Sequence, residues 1–197
     1  MVGFKTRWDA PSRRLAIAFS CCLMLVSYAC LAQPRVQSVA EPKIRAAVIV
    51  KILQFTSWEK RELPDEVTVC VIGEPVSQNE LLKFDPPKKM GKKTIKVERV
   101  SSKSLKGENT REQHGCDITV LGEKFTKNAY KSLAEKFETQ GILTICDGCD
   151  RSFAKDSMID LVLVDQRLNF NVNLGHAKSA NIRLDSSMLE LASEVRQ

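Results

Sequence analysis

The sequence predicts an α/β fold: a single three-layer domain over residues 41–197, with a mostly parallel sheet, helices on both faces and a C-terminal antiparallel hairpin. Two observations carry this prediction. Short β-branched runs alternate along the chain with segments of helical periodicity, which is typical of a parallel sheet covered on both faces. Near the C-terminus, two apolar runs flank the polar triplet 165–167 and indicate a hairpin.

The predicted helices have apolar residues at helical spacing. The first begins near Pro42 and is almost wholly apolar, since only Arg45, Lys51 and Gln54 interrupt its middle. We therefore expect it to be mostly buried. Helices are predicted at residues 41–58, 76–83, 127–138, 175–180 and 186–195.

The predicted strands are short and rich in β-branched residues. The runs 67–73 and 116–122 each end in Gly and suit buried strands, whereas 94–100 alternates and indicates a strand with one solvated face. The polar stretch 101–114 has no periodicity and predicts an exposed loop or an irregular helix. Strands are predicted at residues 67–73, 94–100, 116–122, 142–146, 158–164 and 168–174.

Residues 1–32 have the pattern of an export signal. Four basic side chains precede the apolar run Leu15–Ala32, and the small residues Cys30 and Ala32 suit the −3 and −1 positions of a cleavage site. The run is also just long enough to span a membrane as an uncleaved anchor. We expect cleavage, a flexible mature N-terminus at 33–40 and a periplasmic location.

Most of the chain's positive charge belongs to that export segment. The formal net charge is +6, and removal of residues 1–32 leaves +3 on the remaining 165 residues. The lysine pairs 88–89 and 92–93 have no interleaved aromatic residues, which favours a solvated surface over a nucleic-acid groove. We therefore expect no nucleic-acid partner.

Four cysteines lie beyond the export segment: Cys70, Cys116, Cys146 and Cys149. An oxidising compartment favours two disulfides, although four cysteines allow three pairings. We prefer Cys70 with Cys116 and Cys146 with Cys149. A zinc site is disfavoured, because one C-x-x-C pair with two isolated cysteines lacks the second close pair of a structural site. We expect neither a metal nor a cofactor.

The segment Cys146-Asp-Gly-Cys149 allows three interpretations: a structural disulfide that holds the loop closed (a structural staple), a redox-sensitive regulatory bridge, or the site of a thiol-exchange enzyme. The staple is favoured, because the pair follows a strand and no Pro separates the cysteines. Loop entropy gives about 4 kcal/mol for a bridge from Cys70 to Cys116 and about 1.9 kcal/mol for the short one. Reduction of the short bridge could therefore alter a loop without unfolding the domain.

No set of residues indicates catalysis. The histidines, His114 and His176, have no Ser or Cys nucleophile in a recognised arrangement, and we expect both at the surface or at helix ends. The carboxylates of Asp160, Asp165 and Asp185 show no paired spacing that suits acid–base work. The sequence therefore predicts a protein that is not an enzyme.

Six segments of the chain carry a resemblance to a known family. The first, 45–58, has an Ala-Ala pair followed by Lys, Phe and Trp, and the clearest is 158–174. The others are 69–73, 116–121, 142–145 and 186–192. Because these six segments occur in this order, the chain resembles the YfiR-like periplasmic proteins over almost all of its mature part.

The resemblance implies a periplasmic α/β domain without catalytic residues, which restrains an inner-membrane diguanylate cyclase by contacting its periplasmic part. Release of that restraint would raise cyclic di-GMP and promote biofilm formation. Redox or envelope-stress control is possible under this hypothesis. A sensor kinase is the alternative membrane partner, and a homodimer is compatible with the pattern.

Partner contacts are expected on the predicted hairpin. Arg167, Asn169, Asn171 and Asn173 alternate along one strand and share a face opposite the apolar residues between them. The candidate partner-binding residues are Asp165 of the turn and Arg167, Asn171 and Asn173 of the strand. A solvated sheet face is the alternative interpretation of the same alternation.

Two further functions remain open at this point. A small-ligand sensor or carrier would hold a metabolite in the cleft at the carboxyl ends of the strands. A thiol–disulfide oxidoreductase would use Cys146 and Cys149.

Overall fold

The computed structural model describes residues 40–85, 87–106 and 114–197. The predicted export signal at 1–32, and residues 33–39 of the predicted flexible N-terminus, lie outside the described residues. Residues 107–113 of the predicted polar stretch at 101–114 also lie outside the described residues. The described residues all belong to one compact unit.

Six α-helices are described, and most of them are short. They are α1 (Glu41–Gln54), α2 (Gln78–Leu81), α3 (Lys127–Thr139), α4 (Arg151–Ala154), α5 (Leu174–Ser179) and α6 (Ser186–Leu189). Two 3₁₀ turns, Leu82–Phe84 and Ser104–Lys106, supplement them.

The strands fall into two sheets. They are β1 (Thr56–Trp58), β2 (Glu66–Ile72), β3 (Lys88–Met90), β4 (Lys93–Arg99), β5 (Cys116–Leu121), β6 (Leu143–Asp147), β7 (Ile159–Val164), β8 (Arg167–Asn173), β9 (Ile182–Leu184) and β10 (Glu194–Arg196). The main sheet has eight strands in the order β10-β8-β7-β6-β5-β2-β4-β3, and β1 pairs with β9 in a separate two-stranded sheet.

The main sheet is mostly parallel. Only two of its neighbouring pairs, β3 with β4 and β7 with β8, are antiparallel. Its two faces bury separate apolar clusters, because successive side chains of a strand point to opposite faces. One cluster joins β2, β4, β5, β6, β7 and β8 to α1, α2, α5, α6 and the small sheet. The other packs β2, β5 and β6 against α3 and α4. The predicted three-layer α/β architecture is thus confirmed.

The predicted helix at 41–58 is too long at its C-terminal end. Helix α1 ends at Gln54, and Thr56–Trp58 form β1, which pairs antiparallel with β9. The amide of Asp185 donates to the carbonyl of Phe55 and closes this corner. Pairing with a strand distant in sequence therefore overrides the local helical pattern.

The predicted helix at 186–195 is wrong over most of its length. Helix α6 ends at Leu189, and Glu194–Arg196 form β10, which pairs parallel with β8. The strand satisfies backbone groups along the outer edge of β8, which a continued helix would leave unpaired. Leu191, which the helical pattern places on the apolar face, is 73% exposed.

The remaining differences are smaller. The predicted helix at 76–83 is α2 followed by a 3₁₀ turn. Strands β3 and β9 and helix α4 were not predicted. The predicted three-residue turn 165–167 has two residues, because Arg167 already pairs with Val164 in the hairpin. Asp165 and Gln166 have φ angles of 49° and 63°. Two successive positive φ angles are typical of a type I′ turn, whose twist matches that of a hairpin.

Candidate functional site

The distal half of the β7–β8 hairpin, residues 162–169, extends past its neighbours in the sheet, and we call it the hairpin arm. Pairing of β7 with β6 ends at Leu161, and pairing of β8 with β10 begins at Asn171. Among the described strands, the two halves of the arm pair only with each other, from Val162 opposite Asn169 to Val164 opposite Arg167. Its outer backbone edges are therefore available to another strand.

The arm also exposes apolar side chains. Leu163 is 43% exposed and Val164 is 48% exposed, and both lie at the end of β7, just before the turn. Leu168, directly opposite Leu163, packs partly against the first core cluster. An apolar tip beside free strand edges is typical of a protein-contact surface.

The candidate residues on β8 share one face, as their alternation predicts. Leu168, Phe170 and Val172 pack on the first cluster, so Arg167, Asn169, Asn171 and Asn173 point to the opposite side. Cross-strand register places Asp160 beside Asn171 on this side, and Glu194 and Arg196 of β10 continue it outward. We call this surface the polar face.

The polar face contains one buried carboxylate. Asp160 is almost fully buried and accepts a hydrogen bond from Nη1 of Arg151 at 3.0 Å. Burial raises the pKa of Asp160, against the opposing effect of Arg151. At the outer edge of the face, the guanidinium of Arg196 pairs with Glu194, and this pairing raises the pKa of Arg196 further.

The four candidate partner-binding residues differ in how far they are already engaged. Asp165 and Arg167 are exposed at the tip of the arm, and Asn171 is half-buried. Asn173 caps α5, since its carboxamide oxygen accepts from the amide of His176 at 3.1 Å. The same side chain donates to the carbonyl of Lys155 at 3.1 Å, which gives it a structural role.

The structure pairs Cys70 with Cys116 and Cys146 with Cys149, with Cα–Cα distances of 5.7 and 5.6 Å. This is the pairing preferred from the sequence. All four cysteines belong to the cluster beneath α3 and α4 and are buried. The first bridge depends on a register shift between β2 and β5, which moves Cys116 off the face that Ile118 occupies.

The short bridge encloses a buried carboxylate that no sequence motif singles out. Asp147 is fully buried, and its Oδ1 accepts from Nη1 of Arg45 at 2.8 Å. Its Oδ2 accepts from the amide of Ser77 at 2.8 Å and from the hydroxyl of the same residue. Arg45 also pairs with Glu41 through Nε at 2.8 Å. A lone Arg in the apolar first helix was the available signal for this network.

This network ties the C-D-G-C loop to helix α1. Gly148, between the cysteines, has a φ of 81°, and a Cβ there would lie 2.6 Å from a methyl of Val76. Both sulfurs are buried, and Cys146 lies inside β6 rather than at the exposed start of a helix. Thiol exchange needs an accessible thiolate, so this geometry favours the structural staple.

The crevice where open α/β folds bind ligands lies where the connections leaving neighbouring strands diverge, here between β2 and β5. The loops that follow these strands are bonded to each other: the amide of Gly122 donates to Ile72, and that of Lys124 donates to Gly73. A Cβ on Gly122 would lie 2.0 Å from the nitrogen of Pro75. Backbone therefore fills this crevice, which disfavours it as a metabolite site.

Both histidines have hydrogen-bonding partners. Nδ1 of His176 contacts the carboxylate of Glu138 between α5 and α3, and Nε2 of His114 lies 3.3 Å from the carbonyl of Ser104. Among residues 40–85, 87–106 and 114–197, no group of three or more His, Cys, Asp or Glu side chains could hold a metal ion. Over the same part of the chain, no helix is long and apolar enough to cross a membrane.

A family model described as YfiR/HmsC-like matches residues 42–193. The chain belongs to this family. Members of the YfiR/HmsC-like family are regulators without catalytic activity, and they act in the periplasm on diguanylate cyclases. The match covers the main sheet from β2 to β8 together with both disulfides.

A solved structure supports the fold of this YfiR/HmsC-like chain. It is an ABC domain from Streptococcus pneumonia in complex with L-Trp, with a TM-score of 0.50 and 10% sequence identity. The match covers 74% of this chain and 58% of that one, so the chain spans less than two thirds of the solved protein. No curated protein matches the chain.

Proposed function

We propose that this chain is an exported periplasmic protein that binds the external part of an inner-membrane diguanylate cyclase and represses it, with the hairpin arm and the polar face as the docking surface. The observation that carries the proposal is the arm itself. It combines free strand edges with the exposed side chains of Leu163 and Val164. Family membership supplies the class of partner.

The arm suits a partner that adds an extended segment to the sheet. Main-chain hydrogen bonds along a free edge give affinity, and side chains on alternate positions give specificity. Asp165 and Arg167 would supply the charged contacts at the tip, and Asn171 a hydrogen-bonding contact further along the same face. The paired strands and the type I′ turn hold the backbone of these residues in place, which lowers the entropy lost on binding.

Redox control enters the proposal only through the short bridge. Both of its sulfurs are buried, so a reductant would need the C-D-G-C loop to open first. The Asp147–Arg45 pair and the Ser77 hydrogen bonds hold that loop closed. We therefore propose that docking operates with the bridge formed, and that envelope reductants do not switch it in the folded protein.

A pull-down from detergent-solubilised envelopes tests the docking surface. The bait is the exported protein, compared with a Val164→Lys/Arg167→Glu variant that introduces an opposite-charge pair across the hairpin while replacing the apolar and basic surface of the arm. The matched control is Lys131→Glu/Glu135→Lys on the exposed side of α3. We expect the wild type and the control to recover a membrane protein with a diguanylate cyclase domain, and the arm variant to recover at least tenfold less. Equal recovery by the arm variant would exclude the arm as the docking surface.

A further inference from the structure

The β3–β4 hairpin concentrates positive charge at the edge of the main sheet. Residues 88–96 contain five lysines and no acidic residue. Residues 41–197 carry a formal net charge of +2, so the rest of that range without this hairpin has a net charge of −3. The hairpin is therefore a basic pole on an otherwise acidic domain.

Three of these lysines are free of ion pairs among the described residues. Lys88, Lys89 and Lys92 are exposed and face no carboxylate within salt-bridge distance in that part of the chain, whereas Lys93 lies near Asp65 and Lys96 pairs with Glu98. Lys88 lies over the ring of Phe84, 5.0 Å from its centroid, which holds its stem without neutralising its charge.

The three unpaired lysines lie on both faces of the hairpin and at its turn. Register places Lys88 beside Ile95 on the face that packs on the first core cluster, and Lys89 beside Thr94 on the opposite face. Lys92 lies at the turn, where a Cβ on Gly91 would meet no atom within 4 Å. The tip of the hairpin therefore carries positive charge on both of its faces. It suits contact with a planar, diffuse layer of negative charge.

We propose that the β3–β4 hairpin docks on anionic lipid headgroups of the membrane in which the regulated enzyme lies. The inference builds on the proposed function, because a regulator of a membrane protein works at the bilayer surface. Each lysine near an anionic surface strengthens binding by about one kcal/mol, and the attraction extends only over a Debye length. Three unpaired lysines therefore give weak, salt-sensitive docking that orients the domain without anchoring it.

Vesicle co-sedimentation of the exported protein tests this inference without any protein partner. The vesicles are phosphatidylcholine alone, or phosphatidylcholine with one third phosphatidylglycerol. We compare the wild type with a Lys88→Gln/Lys89→Gln/Lys92→Gln variant. The control, Lys60→Gln/Lys131→Gln/Lys178→Gln, removes the same charge from exposed positions in the loop after β1, in α3 and in α5.

We expect the wild type and the control to bind the anionic vesicles at low salt and to dissociate at about 1 M salt, where the Debye length is roughly 3 Å. The hairpin variant should bind about a hundredfold more weakly. An equal loss of vesicle binding in the hairpin variant and the control would mean that only the overall charge matters, which would contradict docking by the hairpin. The proposal would also be overturned if the hairpin variant bound as strongly as the wild type, or if the wild type did not bind. Because the assay contains no cyclase, its failure leaves the proposed function intact, and failure of the pull-down leaves this inference intact.

Discussion

The buried Arg45–Asp147 ion pair should contribute more to stability than any exposed pair in the molecule. Asp147→Ala would leave the Arg45 guanidinium buried without its main-sheet partner and remove the acceptor of two hydrogen bonds from Ser77. Breaking a buried pair from one side costs about 3–5 kcal/mol. For a domain of this size, that loss corresponds to a fall of roughly 6–20 °C in Tm.

The assay is urea denaturation followed by circular dichroism, with the Tm measured in parallel. The control is Glu80→Ala, which removes an exposed pair with Lys83 and should cost less than about 1 kcal/mol. A double variant, Arg45→Met with Asp147→Asn, should cost less than the sum of its single variants by about 1–3 kcal/mol, because neither charge is then left alone. A loss below about 1 kcal/mol in Asp147→Ala, or strict additivity, would refute the reasoning.

Three further outcomes follow from the fold. Loss of the short bridge in Cys146→Ser/Cys149→Ser should cost about 2 kcal/mol in urea denaturation and loss of the long bridge about 4 kcal/mol, and a reversed order would contradict the loop-entropy argument. Gly122→Ala should lower the free energy of unfolding by about 3 kcal/mol or more, because its Cβ would lie 2.0 Å from backbone. Gly91→Ala, which has open space but a positive φ, should lower it by about 1–2 kcal/mol, and equal losses would contradict the steric argument. Burial raises the pKa of Asp160, so the carboxylate opposes folding above that pKa and the effect fades as pH falls through it. Asp160→Asn should therefore gain stability relative to wild type at pH 7 and lose that advantage towards pH 4, and a gain that grows towards pH 4 would contradict the sign.

The sequence was informative where a local pattern and the tertiary structure agree. The runs that became β2, β5 and β6 are β-branched and buried on both faces, so their strand character does not depend on a particular neighbour. Helix α3 has the same consistency, because its apolar side has helical spacing and Thr126 caps its first turn. The alternation along β8 likewise predicted which side chains share the polar face.

The errors arise where a segment gains its structure from a distant strand. Residues 56–58 and 194–196 are too short to show a strand period, and each pairs with a strand that is far away in sequence or already part of a hairpin. The network around Asp147 was missed for a related reason. Its partners come from α1 and from the start of α2, and no sequence spacing brings Arg45, Ser77 and Asp147 together.

The intracellular concentration of cyclic di-GMP tests the central claim most directly. It should rise when the gene for this protein is deleted, and it should return to the original level when the wild type or the Lys131→Glu/Glu135→Lys control is restored. The Val164→Lys/Arg167→Glu variant, exported at the same level, should leave it high. No rise on deletion, or full restoration by the arm variant, would contradict repression of a cyclase through the hairpin arm.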